Sequence, residues 1–137
     1  MGQARKRKSQ AGITPRYAGL PHVVLDSPSF RNLSATATRV LLVLLYQYNG
    51  INNGDLSAPL TYAKRWGIKS HTTLAKALRE LQEADLIRRT RDPTKGRKSP
   101  HGQCALYAVT WQSLDECKGK HDLQPTITPL RKFSLEK

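Results

Sequence analysis

The stretch Ser70 to Ala84, SHTTLAKALRELQEA, constrains the fold more than any other part of the chain. Leu74, Leu78 and Leu81 stand at i, i+4 and i+7 with Ala77 beside them, so a 3.6-residue repeat gathers them on one face. The opposite face carries Thr72, Lys76, Arg79 and Glu83, with Thr73 on its flank. Ser70 has the hydroxyl acceptor that a helix N-cap needs, and Gly67-Ile68-Lys69 before it reads as a tight turn. Ahead of that turn, Leu60 to Trp66 is a shorter helical pattern, with Thr61 expected as its cap and Tyr62, Ala63 and Trp66 as its contacts. A short helix, a Gly-containing turn and a longer helix with a polar first turn form a helix-turn-helix.

The flanking chain is read around this unit. Ser34 to Tyr48 is a second helix, capped by Ser34 and stopped by Asn49-Gly50. Ala37, Leu41, Leu44, Leu45 and Tyr48 form one apolar face, while Leu42, Val43 and Tyr46 point elsewhere. A helix apolar nearly all round is covered on more than one side, here by the N-terminal segment or by a second subunit. In that N-terminal segment, Val23-Val24-Leu25 is expected to be extended. A single helical turn is expected to open at Asp26-Ser27-Pro28-Ser29, with Phe30 and Leu33 on the core. The turn cluster Gly50 to Pro59 leaves room for a short extended piece at Asp55-Leu56-Ser57. Leu86 to Arg91 reads as a strand, with Leu86 and Ile87 entering the core and Arg88, Arg89 and Arg91 leaving it. The returning strand, Cys104 to Trp111, alternates, with Tyr107, Val109 and Trp111 on one face. Between the strands, residues 92–103 (DPTKGRKSPHGQ) are rich in breakers and cations and read as the tip of a β-hairpin.

The expected fold class is therefore α+β, mainly α: a winged helix-turn-helix of three helices plus a β-hairpin wing. Residues 1–16 are expected as a disordered basic arm, 17–111 as the domain and 112–137 as an extended tail, with Leu130 and Phe133 available to anchor it. The runs PHVVLDSPSF, NGINNGDLS, LAKALRELQEADLIRRTR and LYAVTWQSLDEC resemble small, largely uncharacterised bacterial winged helix-turn-helix proteins of phages and mobile elements. The resemblance covers about residues 17–125 and implies the same fold and DNA binding, without naming an operator.

Charge points the same way. The chain carries a net +13, and residues 61–103 hold eleven Lys/Arg against four acids. Residues 1–33 hold six against one, whereas 111–137 are nearly balanced at five against four. Clustered positive charge of this kind attracts a polyanion. A membrane surface is the weaker match, because the outer face of the 70–84 helix has no aromatic or Leu anchor. No run approaches the roughly 20 apolar residues of a membrane span. The basic N-terminus is followed by no apolar segment, so a cytoplasmic, nucleoid-associated protein is expected.

Candidate contacts follow from these placements. Thr72, Thr73 and Lys76 lie where a helix in the major groove meets base edges, Thr through a thymine methyl or a hydrogen bond and Lys through guanine O6/N7. Arg79 lies where phosphate is expected. Ser70 and His71 stand at the helix start, where unpaired backbone N–H groups also favour phosphate. Lys95, Arg97 and Lys98 at the wing, Arg88, Arg89 and Arg91 beside it, and Arg5, Lys6, Arg7 and Lys8 in the arm are further phosphate candidates. Each group has a plainer reading as solvated surface.

His101, Cys104, Cys117 and His121 have H-x2-C-x12-C-x3-H spacing, which suits zinc by ligand type. The segment between the cysteines reads as a strand rather than the helix of a zinc finger. No metal and no cofactor is therefore expected, and both cysteines are expected as thiols. There is no phosphate loop, nucleophile elbow or paired acid, so no enzyme activity is expected. The leading expectation is sequence-specific binding of double-stranded DNA by a transcriptional regulator, with a possible homodimer through helix 34–48 or the C-terminal tail. The alternatives are a replication- or partition-initiator role with the tail as recruiting surface, and non-specific nucleoid or RNA binding.

Overall fold

The computed structural model describes residues 16–93 and 104–133. The architecture is α+β and mainly helical, in a winged-helix arrangement. Two short helical turns, α1 (His22–Leu25) and α2 (Pro28–Arg31), precede α3 (Ala35–Gln47). Then come α4 (Leu60–Ala63), continued by a 3-10 turn at Lys64–Trp66, and α5 (His71–Glu83). Strands β1 (Ile87–Arg91) and β2 (Leu106–Val109) pair antiparallel, and a second 3-10 turn lies at Cys117–Gly119. Leu56 bridges Tyr107 through two backbone hydrogen bonds, adding the short extended piece expected between α3 and α4.

The core is one cluster. Val40, Leu41 and Leu44 of α3 meet Leu81 of α5 and Leu86, Ile87, Tyr107 and Val109 of the hairpin, all almost fully buried. Removing side chains of this size from water is the main favourable term in holding α5 against α3. Val24 joins the cluster, and Leu20, Val23, Phe30 and Leu33 pack on it, so the N-terminal segment covers part of α3 within the same chain. Val43 is buried, whereas Tyr46 is 69% exposed with its ring edge-on to Trp66.

Caps set the helix ends. The Ser34 hydroxyl accepts from Ala37 N–H at 3.0 Å, and Ser70 accepts from Thr73 N–H at 3.2 Å. The turn before α5 is a Schellman-type end: Ile68 N–H reaches Ala63 O and Gly67 N–H reaches Lys64 O. Gly67 has φ +89, a left-handed conformation that favours glycine, and a Cβ there would displace Arg39 Nη1, 2.7 Å away. The end of α5 repeats the motif, with Asp85 at φ 57 and Leu86 N–H on Leu81 O.

Four expectations need correction. Val23-Val24-Leu25 is a helical turn rather than extended, because Pro21 starts it and Asp26 N–H closes on His22 O. Three apolar residues are too few for periodicity to decide between the two. The cap position of α4 belongs to Pro59, not Thr61, and no side chain fills it. Tyr62 is 46% exposed rather than a core contact. The fourth concerns β2, where Leu106 to Val109 are all buried although alternation was expected. Its second face is covered by residues 112–133. Arg131 N–H bonds Thr110 O, Asp122 N–H bonds Thr90 O, and Phe133 sets its ring edge on Trp111. Phe133 thus anchors this segment as expected, and buried Asn53 ties its start by donating to Val109 O and Ser113 O.

Candidate nucleic-acid interface

α5 presents its two faces as the spacing predicts. Leu74, Ala77 and Leu81 are buried, and Leu78 packs on the core at its edge. His71, Thr72, Thr73, Lys76 and Arg79 are all exposed, as is the capping residue Ser70. The Ser70 hydroxyl donates to Thr73 Oγ1 at 3.0 Å, which orders the first turn. Among the described residues, Lys76 and Arg79 form no ion pair with a carboxylate.

Beside this face runs a groove of about 390 Å³ between α5 and the start of α3, lined by Ser34, Thr36, Thr72, Thr73, Lys76 and Glu80. Glu80 closes one end of it. Its carboxylate accepts from Ser34 N–H at 2.7 Å and from the Ser34 hydroxyl at 2.8 Å, capping α3 from another helix. A negative charge at that helix N-terminus is favourable, and the contact ties α5 to the start of α3. Sequence reasoning missed Glu80, because a capping box places its acid three residues after the cap and this one stands 46 residues away.

The three arginines of β1 are placed differently, and the strand register explains how. Cross-strand partners share a face. Arg88 opposite Ala108, and Arg91 opposite Leu106, therefore lie on the face covered by residues 112–133. Arg88 pairs with Asp85 at 3.3 Å and donates to Leu130 O. Arg91 donates to Lys120 O at 3.1 Å and Cys104 O at 2.8 Å, past a bulge between Arg89 and Arg91. Arg89 lies opposite Tyr107, donates to its hydroxyl at 3.0 Å and pairs with Asp92 at 3.5 Å. Burial works against the Arg89 charge, but Tyr107 and Asp92 outweigh it and raise its pKa further. All three therefore hold partners within the chain.

Arg131 is a cation whose place in the structure sequence reasoning missed. It donates to Ala84 O at 2.9 Å and Asp85 O at 3.0 Å, satisfying the carbonyls that end α5, and to Ser29 Oγ at 3.0 Å. Its guanidinium also lies 4.0 Å from the centre of the Phe133 ring. Lys64, Arg65 and Lys69, between α4 and α5, were likewise not singled out and are exposed. Arg5, Lys6, Arg7 and Lys8 of the arm, and Lys95, Arg97 and Lys98 of the wing, lie outside the described residues.

The histidine and cysteine pattern is not gathered into a site by its described members. His121 uses both ring nitrogens, Nε2 on Asp115 O at 2.6 Å and Nδ1 accepting from Leu123 N–H. Cys104 is exposed, and His101 lies outside the described residues. Burial, then Asp55 and Asp115, push the Cys117 thiol up to about 11 against the pull of Lys120, which keeps it protonated near neutral pH. Among the described residues no three His, Cys, Asp or Glu side chains converge to hold a metal, and no helix is long and apolar enough to cross a membrane.

The chain matches no family model, no curated protein and no solved structure.

Proposed function

We propose that this protein binds double-stranded DNA in a sequence-specific manner, as a transcriptional regulator, with α5 in the major groove. The observation that carries the reading is the exposed face of α5. His71, Thr72, Thr73, Lys76 and Arg79 stand clear on a helix whose other face is locked into the core. Thr72, Thr73 and Lys76 meet base edges, while Ser70, His71 and Arg79 meet phosphate. The wing cations Lys95, Arg97 and Lys98 and the arm residues Arg5, Lys6, Arg7 and Lys8 add phosphate contacts that strengthen binding to any sequence. Arg88, Arg89 and Arg91 contribute less than their charge suggests, since each already has partners in the chain.

On this reading the protein acts at the nucleoid, as a regulator of the kind found on bacterial phages and mobile elements. The resemblance of four sequence segments supports that assignment. A non-enzymatic role is part of the same proposal, and the cationic surface suited to a polyanion supports it.

Selection of bound fragments from a random duplex library, at near-physiological salt, tests the proposal. An enriched motif is expected, and two-fold symmetry in it would report a homodimer, for which residues 34–48 or the tail are the proposed surface. Binding without any motif, combined with steep salt dependence, would replace sequence readout by backbone docking.

A further inference from the structure

A cleft of about 710 Å³ opens between the N-terminal segment, the end of α3 and the end of β2. None of its lining residues belongs to α5, so it is separate from the proposed duplex-reading face. Its size falls within the range of small-molecule sites. Three aromatic residues, Tyr17, Tyr48 and Trp111, line it together with the amides Asn49 and Gln112 and the guanidinium of Arg16. A smaller concavity of about 310 Å³ shares Arg16 and Tyr17 and adds Tyr46. Among the described residues no carboxylate lines either hollow.

We propose that this cleft takes an unpaired base of a single-stranded nucleic acid, stacked on Tyr17 and held by the neighbouring amides and Arg16. Tyr17 is 88% exposed and Tyr46 69%, so most of each side chain is open to solvent even though the Tyr46 ring also meets Trp66. Every base has a π-face, and exposed aromatic rings beside cations are the means by which proteins hold unpaired strands. Asn49 uses its side-chain oxygen on Ile51 N–H, which leaves its amide hydrogens for a base edge. The Tyr48 phenol is pushed up by burial and then by Asp115, so it stays an O–H donor at neutral pH. Arg16 holds Tyr46 O and Tyr48 O at 3.4 Å with one nitrogen, and its remaining N–H groups suit a phosphate. The four consecutive cations Arg5 to Lys8 precede Arg16 in sequence, which favours an extended polyanion over a small neutral ligand. A second copy of the chain fits less well, because its net charge of +13 opposes self-association around Arg16.

The test uses the full chain with Trp66→Phe, so that Trp111 is the sole tryptophan reporter. Twelve-residue oligothymidylate and oligouridylate are titrated at near-physiological salt, with inorganic polyphosphate as the charge control. Saturable quenching by either oligonucleotide and none by polyphosphate is expected, and the ratio of the two affinities tells whether DNA or RNA is the source of the base. Tyr17→Leu should weaken oligonucleotide binding about tenfold or more, and Tyr17→Trp should restore it in direct binding assays. Gln112→Ala should weaken it as well, with the melting temperature unchanged in each variant. Equal quenching by polyphosphate, or unchanged oligonucleotide binding by both Tyr17→Leu and Gln112→Ala, overturns the proposal. Duplex binding is measured in parallel, and Tyr17→Leu should leave it within twofold of wild type. The inference is independent of the duplex reading: loss of one activity without the other identifies which proposal fails.

Discussion

Lys76 on α5 and Arg91 on β1 carry the same charge in opposite surroundings. Lys76 stands exposed on a helix whose far side is buried, and among the described residues it pairs with no carboxylate. Arg91 is folded along the chain, with its guanidinium on Lys120 O and Cys104 O. Sequence composition counts both as one unit of attraction for a polyanion. The structure separates cations whose hydrogen-bonding capacity remains for a partner from cations that already stitch the fold together. Arg131, which closes the carbonyl end of α5, is the extreme of the second kind. Removing a stitched cation should therefore cost stability, and removing an exposed one should cost binding.

The largest effect should come from Arg131→Ala. It leaves the carbonyls of Ala84 and Asp85 without this donor and releases the segment that covers β2, at a cost of about 2–3 kcal/mol by denaturant unfolding. Affinity for DNA per folded molecule should be little changed, and a stable variant with lost binding would break the distinction. Lys76→Ala should do the reverse. Its melting temperature stays near that of wild type, while affinity for the selected site falls about tenfold to a hundredfold and the preferred base at one position changes. Arg91→Ala should cost about 1–2 kcal/mol of stability through the same kind of carbonyl contacts. The slope of its binding against salt should match wild type, and a reduced slope would show that Arg91 reaches phosphate after all.

Arg79→Ala sharpens the comparison from the other side. It should weaken all sequences alike by a few fold and lower the salt slope by about one. The two cysteines repeat the contrast on a smaller scale. An alkylating reagent near pH 8 should modify exposed Cys104 and spare Cys117, whose thiol is pushed from 9.0 up to about 11. The folded state then holds the Cys117 proton more tightly than the unfolded chain, so the associated stability is complete below about pH 9 and is lost as pH rises towards about 11. Peptide mapping after alkylation decides the first point, and equal modification of both cysteines would contradict it.

What was legible in the sequence was local and periodic. Leu74, Leu78 and Leu81 announce the buried face of α5, and Ser70 and Ser34 announce their caps. Asp55-Leu56-Ser57 follows from the turn signals around it, and the bridge from Leu56 to Tyr107 realises it. What was illegible depends on contacts between distant residues. Glu80 caps α3 from 46 residues away, and Arg131 reaches Ser29 across 102. Neither distance leaves a pattern in a short window. Leu106 and Ala108 are buried on the face where Arg88 and Arg91 reach Leu130 O and Lys120 O, so alternation along β2 alone gave half the answer. The candidate site divides in the same way: the outer face of α5 follows from spacing, whereas the engagement of Arg88, Arg89 and Arg91 requires knowing which carbonyls and side chains surround them.

The central claim is that the exposed face of α5 reads base sequence. It is tested most directly by running the random duplex selection side by side for wild type and Lys76→Ala. The account predicts a motif for wild type and a motif altered at one position, or at its symmetry mate, for the variant. Identical motifs from both proteins, or no motif from wild type, would contradict it.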